Sequence, residues 1–192
     1  MKHPLWDTLQ LNSKKYNTLY SFFINFTENE IEKLFIMMLS RASKYAILST
    51  LFLAEHANEN KKISVKVIAE SIDVPSPFLA KLFQQLVKGK IISSTKGPNG
   101  GFYLTKKNQK KNVLDIFENI DGLNRLNECF LGLSECDGSN PCPVHFIVEP
   151  FKNSILGKFR DKNIMEFSNE IVSKGRKLTI KDISPEINPQ IK

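Results

Sequence analysis

The sequence predicts a mainly α-helical protein with one small β-hairpin, and three patterns in its 192 residues support this fold class. Between residues 40 and 89, apolar residues recur at helical spacing behind candidate N-cap serines. Two β-prone runs then flank a Gly- and Pro-rich turn at residues 96–101. Residues 143 to about 174 form a long helical stretch. With 41% hydrophobic and 24% charged residues, the chain can bury one ordinary core.

The first two predicted helices each follow a serine that can cap a helix N-terminus. Ser40 precedes the first helix, whose apolar face combines spacings of three, four and one that only a helix places on one side. The members of this face are Tyr45, Leu48, Phe52 and Leu53. Ser64 precedes a second, shorter helix, which ends at the turn of residues 73–75.

The third predicted helix has Ser76 as its N-cap, Pro77 at its first helical position and Gly89 as its end. Its apolar stripe comprises Phe78, Leu79, Leu82, Phe83 and Leu86. The solvent face then contains Lys81, Gln84 and Gln85. Two short helices joined by a tight turn are typical of a helix-turn-helix, in which the second helix is the recognition helix.

A hairpin is predicted next, from residues 91–95 and 102–104, and a hairpin after a helix-turn-helix is a wing. Asn112 is the expected N-cap of a further helix that stops at Asp121 and Gly122. The long C-terminal helical stretch begins at Pro143 and is expected to break near Pro150 and Asp161. We therefore expect a winged helix-turn-helix domain followed by a long C-terminal helix.

Basic charge is concentrated in the predicted winged helix. The formal net charge is +7, and residues 38–112 carry 13 basic and 4 acidic side chains. Such a block favours a polyanionic partner. Gln84 and Gln85 offer amides that can pair with adenine, Lys81 can reach guanine or phosphate, and Lys96 lies at the wing tip. The alternative for the helix alone is an ordinary solvated face.

Three cysteines and one histidine fall within 17 residues: Cys129, Cys136, Cys142 and His145. Pro143 makes Cys142 the expected N-cap of the long helix, where the helix dipole favours a thiolate. Three thiolates and one imidazole suit either an iron-sulfur cluster or a structural zinc ion. From the residues alone zinc is favoured, and incidental buried cysteines are the remaining alternative.

Several motifs together resemble one family of regulators. They are Leu39-Ser40-x4-Tyr45-Ala46, Ile68-Ala69-Glu70-x3-Val74-Pro75-x3-Leu79-x2-Leu82-x3-Leu86, and Lys96-Gly97-Pro98-Asn99-Gly100-Gly101-Phe102-x-Leu104. Over residues 38–173 the chain resembles the winged-helix iron-sulfur transcription regulators typified by IscR and NsrR, and it is most similar to the IscR-like members. The Gly-Pro-x-Gly-Gly wing is the most specific of these motifs.

The resemblance implies a cytoplasmic homodimer that binds a palindromic operator in double-stranded DNA. Each recognition helix would enter a major groove and each wing a flanking minor groove. The match carries Ser76, Lys81 and Gln84 to the helix and Lys96 to the wing, and Asn99 in the wing turn is a further candidate DNA contact. IscR-like members tend to have a carboxylate where this chain has Ala80, which leaves the preferred DNA sequence open.

The resemblance also implies that the three cysteines bind iron and sulfide, although their first interval is six residues rather than five. NsrR-like members take an acidic ligand from the position that Lys44 occupies here, and lysine cannot replace it. IscR-like members use a histidine where His145 stands. The expected cofactor is therefore a 2Fe-2S cluster, with a 4Fe-4S cluster or zinc as alternatives.

These expectations make the chain a DNA-binding regulator that senses cluster supply, oxidants or nitric oxide. One alternative is a DNA-binding module with a structural zinc, and another is an enzyme with Cys142 as nucleophile and His145 as base. The enzyme is disfavoured because no third group or oxyanion loop is evident. No apolar run approaches the roughly 18 to 20 residues of a membrane span, and the N-terminus lacks a secretory signal pattern, so a cytoplasmic location is expected.

The expected domain organisation has five parts. Residues 1–37 are a leader that either precedes a natural translation start near Met37 and Met38 or forms an arm over the dimer or DNA. Residues 38–122 are the winged helix-turn-helix domain, 123–142 the Cys-rich cluster-binding loop and 143–175 the dimerisation helix region. Residues 176–192 are expected to be a flexible tail.

Overall fold

A computed structural model describes residues 39–175, so the expectations for residues 1–38 and 176–192 lie outside the described residues. The described range contains eight helices and one antiparallel two-stranded sheet, which confirms the fold class. The elements are α1 (Arg41–His56), α2 (Val65–Ile72), α3 (Ser76–Lys88), β1 (Ser93–Thr95), β2 (Gly101–Tyr103), α4 (Lys106–Gln109), α5 (Val113–Asp121), α6 (Asn124–Asn127), α7 (His145–Asp161) and α8 (Ile164–Ser173). None of these helices is long and apolar enough to cross a membrane.

Helices α1 and α2 begin at the predicted serine caps. The Ser40 hydroxyl accepts a hydrogen bond from the Ser43 N–H at 3.0 Å, and the Ser64 hydroxyl accepts one from the Val67 N–H at 3.3 Å. Each cap satisfies a backbone donor that a helix N-terminus would otherwise leave unpaired. Helix α2 ends at Asp73, whose left-handed backbone turns the chain toward α3.

Helix α3 starts one residue earlier than predicted. Ser76 is its first helical residue rather than its N-cap, because Pro75 occupies the cap position and its carbonyl accepts the first helical hydrogen bond, from Leu79, at 3.0 Å. Leu79, Leu82, Phe83 and Leu86 are buried as expected. Phe78 is not part of the core: its ring meets Tyr45 edge-on at 5.5 Å and stays 39% exposed.

The wing is tied to the rest of the domain by backbone pairing. Strand β1 pairs with β2 from Ser93 opposite Tyr103 to Thr95 opposite Gly101. Beyond the hairpin, Ile63 and Phe102 exchange backbone hydrogen bonds of 3.1 and 2.8 Å. Gly101 has φ +153°, and a Cβ there would lie 2.7 Å from the Ile63 carbonyl oxygen. This close approach of two backbones explains why glycine ends the wing turn.

Two side chains fix the base of the wing. The ring of Phe102 packs edge-on against the fully buried Phe83 of α3, with centroids 4.6 Å apart. Asn108 is also buried; its Oδ1 accepts hydrogen bonds from the Ser93 hydroxyl at 2.8 Å and from Thr105, and its Nδ2 donates to the Lys90 carbonyl at 2.9 Å. One amide therefore joins the end of α3, strand β1 and helix α4.

Helix α5 lies at the centre of the fold. Asn112 caps it as predicted, within a reciprocal capping box with Asp115, and Gly122 ends it with φ +78°. The helix packs against α1, α3 and α7. Its inward residues Val113, Ile116 and Phe117 are fully buried, so the helices that precede the wing and those that follow it share one core.

The C-terminal stretch differs from the prediction in three ways. Helix α7 begins at His145, because residues 142–145 form a turn closed by a 3.0 Å hydrogen bond from the His145 N–H to the Cys142 carbonyl. Cys142 is therefore not the N-cap. Pro150 lies within α7 without ending it, since proline removes only one backbone donor while Ile155 anchors the following turns in the core. Only the predicted break near Asp161 occurs.

After that break the chain folds back onto the first helix. Asn163 caps α8 in a capping box with Glu166, and α8 packs along α1 of the same chain. Ile164 is completely buried, and its N–H donates to the Lys111 carbonyl at 2.7 Å. The expected long helix is therefore two helices, both of which contribute to the core of the monomer.

We expect Asn108→Ala to lower the free energy of unfolding by about 1 to 3 kcal/mol, because it leaves buried donors and acceptors at the wing base without partners. Urea unfolding followed by circular dichroism measures this change. Asn99→Ala, in the exposed wing turn, is the matched control and should have almost no effect. Equal stability of the two variants would show that the Asn108 contacts do not hold the wing.

Candidate functional site

The loop between α6 and α7 brings the three cysteines together. The Sγ atoms of Cys129, Cys136 and Cys142 all lie within 4.8 Å of one another. Cys142 is buried, the other two are partly buried, and none forms a disulfide. Cysteines separated by six and five residues meet because the intervening chain turns back on itself, with Gly132 at φ +75°. The predicted clustering of the thiols is thus present.

Backbone donors make one of these thiols unusually acidic. Desolvation by itself raises the pKa of Cys129, but hydrogen bonds from the backbone of Leu133 and Leu131 and from the neighbouring thiols favour the thiolate. The net result is a pKa lowered to about 7. A thiolate is the form that binds metals and attacks electrophiles, so the lowered pKa favours both metal binding and nucleophilic reaction at this loop.

Cys136 is the thiol that contacts both Cys142 and His145. The Cys142 N–H donates a 3.4 Å hydrogen bond to its Sγ, and the Nδ1 of His145 lies 3.2 Å from the same atom. The Cys142 N–H lowers the pKa of Cys136, but burial and the two adjacent thiols outweigh it and raise that pKa. Because the pKa of Cys129 is lowered and that of Cys136 is raised, Cys129 is the first of these two thiols to become a thiolate.

His145 reaches the edge of the cluster rather than its centre. It contacts Cys136 and is not one of the groups that lie within 4.8 Å of every other ligand atom. Its Nε2 is buried and lies 3.1 Å from Oε2 of Glu149, one turn further along α7. Sequence reasoning missed Glu149, although the four-residue spacing from His145 is the signal that places both on one helix face. The pairing of His145 with Cys136 also removes the partner that a Cys142 nucleophile would need.

A pocket of about 210 Å³ opens beside the sulfurs, and all four predicted ligands line it. It extends along α7 to Val148, Glu149, Lys152 and Leu156. Thiolate and imidazole are the donors of zinc sites and of iron-sulfur clusters. A tetrahedral ion with metal–sulfur bonds of about 2.3 Å separates its sulfurs by roughly 3.8 Å, so the cysteine spacing fits shared metal ligation. The donor set thus fits a metal or cluster cofactor.

The predicted nucleic-acid contacts lie on α3 and the wing. Lys81 and Gln84 are exposed on α3, and Ser76 is partly buried at its start. Lys96 and Asn99 are exposed in the turn between β1 and β2. In this turn, Gly97 adopts φ +107° and its carbonyl accepts a 2.9 Å hydrogen bond from the Gly100 N–H. The helix and the wing therefore both present polar groups to solvent.

Gln85 differs from the other predicted contacts. Its side-chain amide donates a 2.7 Å hydrogen bond to the carbonyl oxygen of Asn119 in α5. This bond closes the junction between the recognition helix and α5, so the amide has a structural partner. The sequence places Gln84 and Gln85 side by side on a polar face, and nothing in the residue pattern distinguishes them.

Asp121 is a second residue that the sequence pattern placed only as the end of a helix. Its carboxylate accepts hydrogen bonds from the hydroxyls of Ser40 at 2.8 Å and Ser43 at 2.9 Å. The Arg125 Nε lies 3.9 Å from the same carboxylate. Because Arg125 belongs to α6, Asp121 links the N-terminus of α1 to the start of the cysteine loop.

A helix-turn-helix, a wing and a cysteine site on the same core define a DNA-binding regulator with a metal or cluster centre. The comparison with protein families agrees: residues 39–170 match the Rrf2 model, described as an iron-dependent transcriptional regulator. The chain belongs to the Rrf2 family of transcriptional regulators. It is therefore not an enzyme, and its partner is DNA.

Curated relatives support this assignment, and solved structures share the fold. A putative HTH-type transcriptional regulator of Aquifex aeolicus is 33% identical over 135 residues, which is 69% of this chain and 92% of the relative. IscR of Photorhabdus laumondii is 26% identical over 133 residues, 69% of this chain and 80% of its own. The structure of T. potens IscR matches with a TM-score of 0.55 and 21% identity over 72% of this chain and 90% of that one. CymR, the global cysteine regulator of B. subtilis, has the same fold, with a TM-score of 0.55 and 15% identity over 69% of this chain and 96% of its own.

We expect alkylation of Cys129 in the metal-free protein to be half-maximal near pH 7, because its pKa is lowered to about 7. Reactivity rises as pH increases through that value, since only the thiolate reacts. Pulse alkylation with iodoacetamide, followed by mass spectrometry of the cysteine peptides, measures each thiol separately. A midpoint at the ordinary value of about 8.5 would contradict the role of the Leu131 and Leu133 donors.

Proposed function

We propose that this chain is a homodimeric transcription regulator whose cysteine loop binds a 2Fe-2S cluster and whose DNA affinity depends on that cluster. The observation that carries the proposal is a pocket lined by Cys129, Cys136, Cys142 and His145, in which the three sulfurs lie within 4.8 Å of one another. When bound, the cluster would supply a centre that responds to cluster supply, oxidants or nitric oxide.

The pocket favours a cluster over zinc. A structural zinc ion occupies only the space between its four ligands. Here the cavity beside the sulfurs continues past His145 to Val148 and Leu156 of α7, which leaves room for inorganic sulfide. The similarity to IscR of Photorhabdus laumondii and the family description as iron-dependent point the same way.

The fourth ligand selects the cluster type. Lys44 occupies the position where NsrR-like regulators carry an acidic ligand, and it is buried in α1. Burial, and then the charge of Arg41, lower the pKa of Lys44, but an amine does not replace a carboxylate ligand. His145 already contacts Cys136, so three cysteines and one histidine are the proposed ligands, as befits a 2Fe-2S cluster. A 4Fe-4S cluster and zinc are the alternatives that metal analysis distinguishes.

DNA recognition is assigned to the two exposed polar surfaces. Within residues 38–122, Ser76, Lys81 and Gln84 on α3 would contact the major groove, and Lys96 and Asn99 on the wing would contact the adjacent minor groove. Gln85 is assigned to the α3–α5 junction instead, because its amide is bonded to Asn119.

Dimerisation is assigned to residues 143–175, with residues 123–142 forming the cluster loop. Phe146 on α7 and Val172 on α8 are large apolar side chains that are 58% and 45% exposed in the monomer. One recognition helix reads only one half-site, and a palindromic operator requires two related by symmetry. A second copy of the chain that packs on these residues would bury the apolar side chains and supply the second recognition helix.

Protein purified without oxygen should be coloured and contain iron and inorganic sulfide in equal amounts, two of each per chain. His145→Ala should give a more labile cluster with an altered visible spectrum, because one protein ligand is lost. Iron, sulfide and zinc assays on the same sample, together with the visible spectrum, test this. Stoichiometric zinc without sulfide would contradict the proposal and favour a structural metal.

Lys96→Ala should weaken DNA binding on all sequences and reduce the salt slope of log K by about 1, because one phosphate contact is lost. Gln84→Ala should instead change base preference by about 1 to 3 kcal/mol at one position with little change in salt slope. Fluorescence anisotropy with operator and random duplexes at several salt concentrations separates the two effects.

Two variants serve as controls for this division. Lys174→Ala removes an exposed lysine that directly follows α8 and pairs with Glu170. It should leave DNA affinity unchanged. Gln85→Ala should affect stability more than base preference. If Lys96→Ala and Gln84→Ala behave alike on specific and random DNA, the division between helix and wing is wrong.

A further inference from the structure

The two ring nitrogens of His145 have different surroundings. Nδ1 lies 3.2 Å from the Sγ of Cys136 and so faces the cysteines. Nε2 points away from them and is buried, and it has no hydrogen bond to any residue within the described range 39–175. Phe146 meets the ring edge-on at 5.2 Å. If Nδ1 binds a metal, the ring proton must reside on the buried Nε2.

Glu149 is placed to accept a hydrogen bond from the Nε2–H group of His145. It follows His145 by one turn on α7, and its Oε2 lies 3.1 Å from Nε2, although the present angle does not make a hydrogen bond. The Glu149 side chain is 54% exposed, so its carboxylate has more freedom than the histidine ring to adjust the angle. His145 is only 12% exposed and cannot turn as freely. The acceptor is therefore the mobile member of the pair.

We propose that Glu149 is a positioning residue for the metal centre: it accepts a hydrogen bond from Nε2–H of His145 and thereby directs Nδ1 toward the metal. Histidine ligands almost always donate their other ring N–H to such an acceptor, which fixes the tautomer and the ring orientation. The inference rests on the proposed function, because it requires His145 to be a ligand. It adds to the proposed function that Nδ1 is the ring nitrogen that binds the metal and that Glu149 is the residue that selects it.

A simple charge effect is the competing explanation, and the chain contains a control for it. Glu128 lines the same pocket as Glu149 but precedes Cys129 on the other side of the loop. Removing either carboxylate changes the charge around the pocket by the same amount. Of the two, Glu149 is the one whose carboxylate lies 3.1 Å from Nε2 of His145. Comparison of the two residues therefore separates orientation of the histidine from charge.

The experiment titrates the metal-free full-length protein with Co²⁺ under anaerobic conditions and records the thiolate charge-transfer and d–d absorption bands. Glu149→Ala should weaken Co²⁺ binding by about 10- to 100-fold, the usual effect of removing an outer hydrogen-bond acceptor. Glu149→Gln should retain most of the affinity, since its amide oxygen can accept the same bond. Glu128→Gln should bind as the unmodified protein does. A loss of the same size in Glu149→Gln and Glu128→Gln would overturn the proposal in favour of a charge effect.

A double variant tests whether Glu149 acts through the histidine. In a His145→Ala background, Glu149→Ala should cause no further loss, because there is no ring left to orient. Equal losses in both backgrounds would show that Glu149 acts independently, for example as a ligand itself, and would overturn the proposal. The proposal is also overturned if Glu149→Ala binds Co²⁺ with full affinity while His145→Ala binds it more weakly. That outcome would leave the proposed ligand set intact.

The proposed ligand set has its own distinct failure. If His145→Ala binds Co²⁺ with unchanged affinity and unchanged d–d bands, the histidine is not a ligand, and the inference falls together with the 2Fe-2S assignment. Thermal unfolding of each metal-free variant by circular dichroism shows whether it remains folded. Glu149 is exposed, so its variants should melt with the unmodified protein.

Discussion

The packing of α5 between the recognition helix and α7 is the constraint on which both functional sites depend. Val113, Ile116 and Phe117 fill the core between them, and each is almost fully buried. At one end of α5, Asn119 accepts the hydrogen bond from Gln85 of α3, and Asp121 binds the serines at the start of α1. The cysteine loop then leaves from the same end of the helix. Under the proposed function, this packing is the route by which a change in the position of α7 would reach the elements that also hold the recognition helix.

The cysteine loop leaves much of its apolar surface exposed. Its large apolar side chains Phe130, Leu131 and Leu133 are each about half exposed. Hydrogen bonds within the loop link nearby residues, and they include bonds from the backbone to the sulfurs of Cys129 and Cys136. Metal ligation requires the cysteines as thiolates, and thiolates repel one another until a cation neutralises them. Ligation would thus hold the loop in one fixed shape beside α7.

Local signals predicted most of the fold, and contacts between distant segments account for what they missed. The caps at Ser40, Ser64 and Asn112 were readable because a helix start needs a side-chain acceptor within three residues. The sequence predicts a break at Pro150, but the core contacts of α7 outweigh one missing hydrogen bond. These contacts cannot be predicted from the local sequence. For the site, the cysteine spacing predicts the clustered thiols. It does not predict the hydrogen bond from Gln85 to α5 or the approach of Glu149 to His145, because these contacts depend on how helices and side chains are oriented in space.

The central claim is that the state of the cysteine loop changes DNA affinity. Its most direct test is a titration of one operator duplex with cluster-loaded protein, with cluster-free protein and with the Cys142→Ala variant at one salt concentration. The account predicts affinities that differ by about 5- to 150-fold between loaded and cluster-free protein, with Cys142→Ala resembling the latter. Linkage requires operator DNA to change cluster stability by the same free energy. Equal affinity of all three proteins on every operator would contradict the claim and leave the loop with a structural role only.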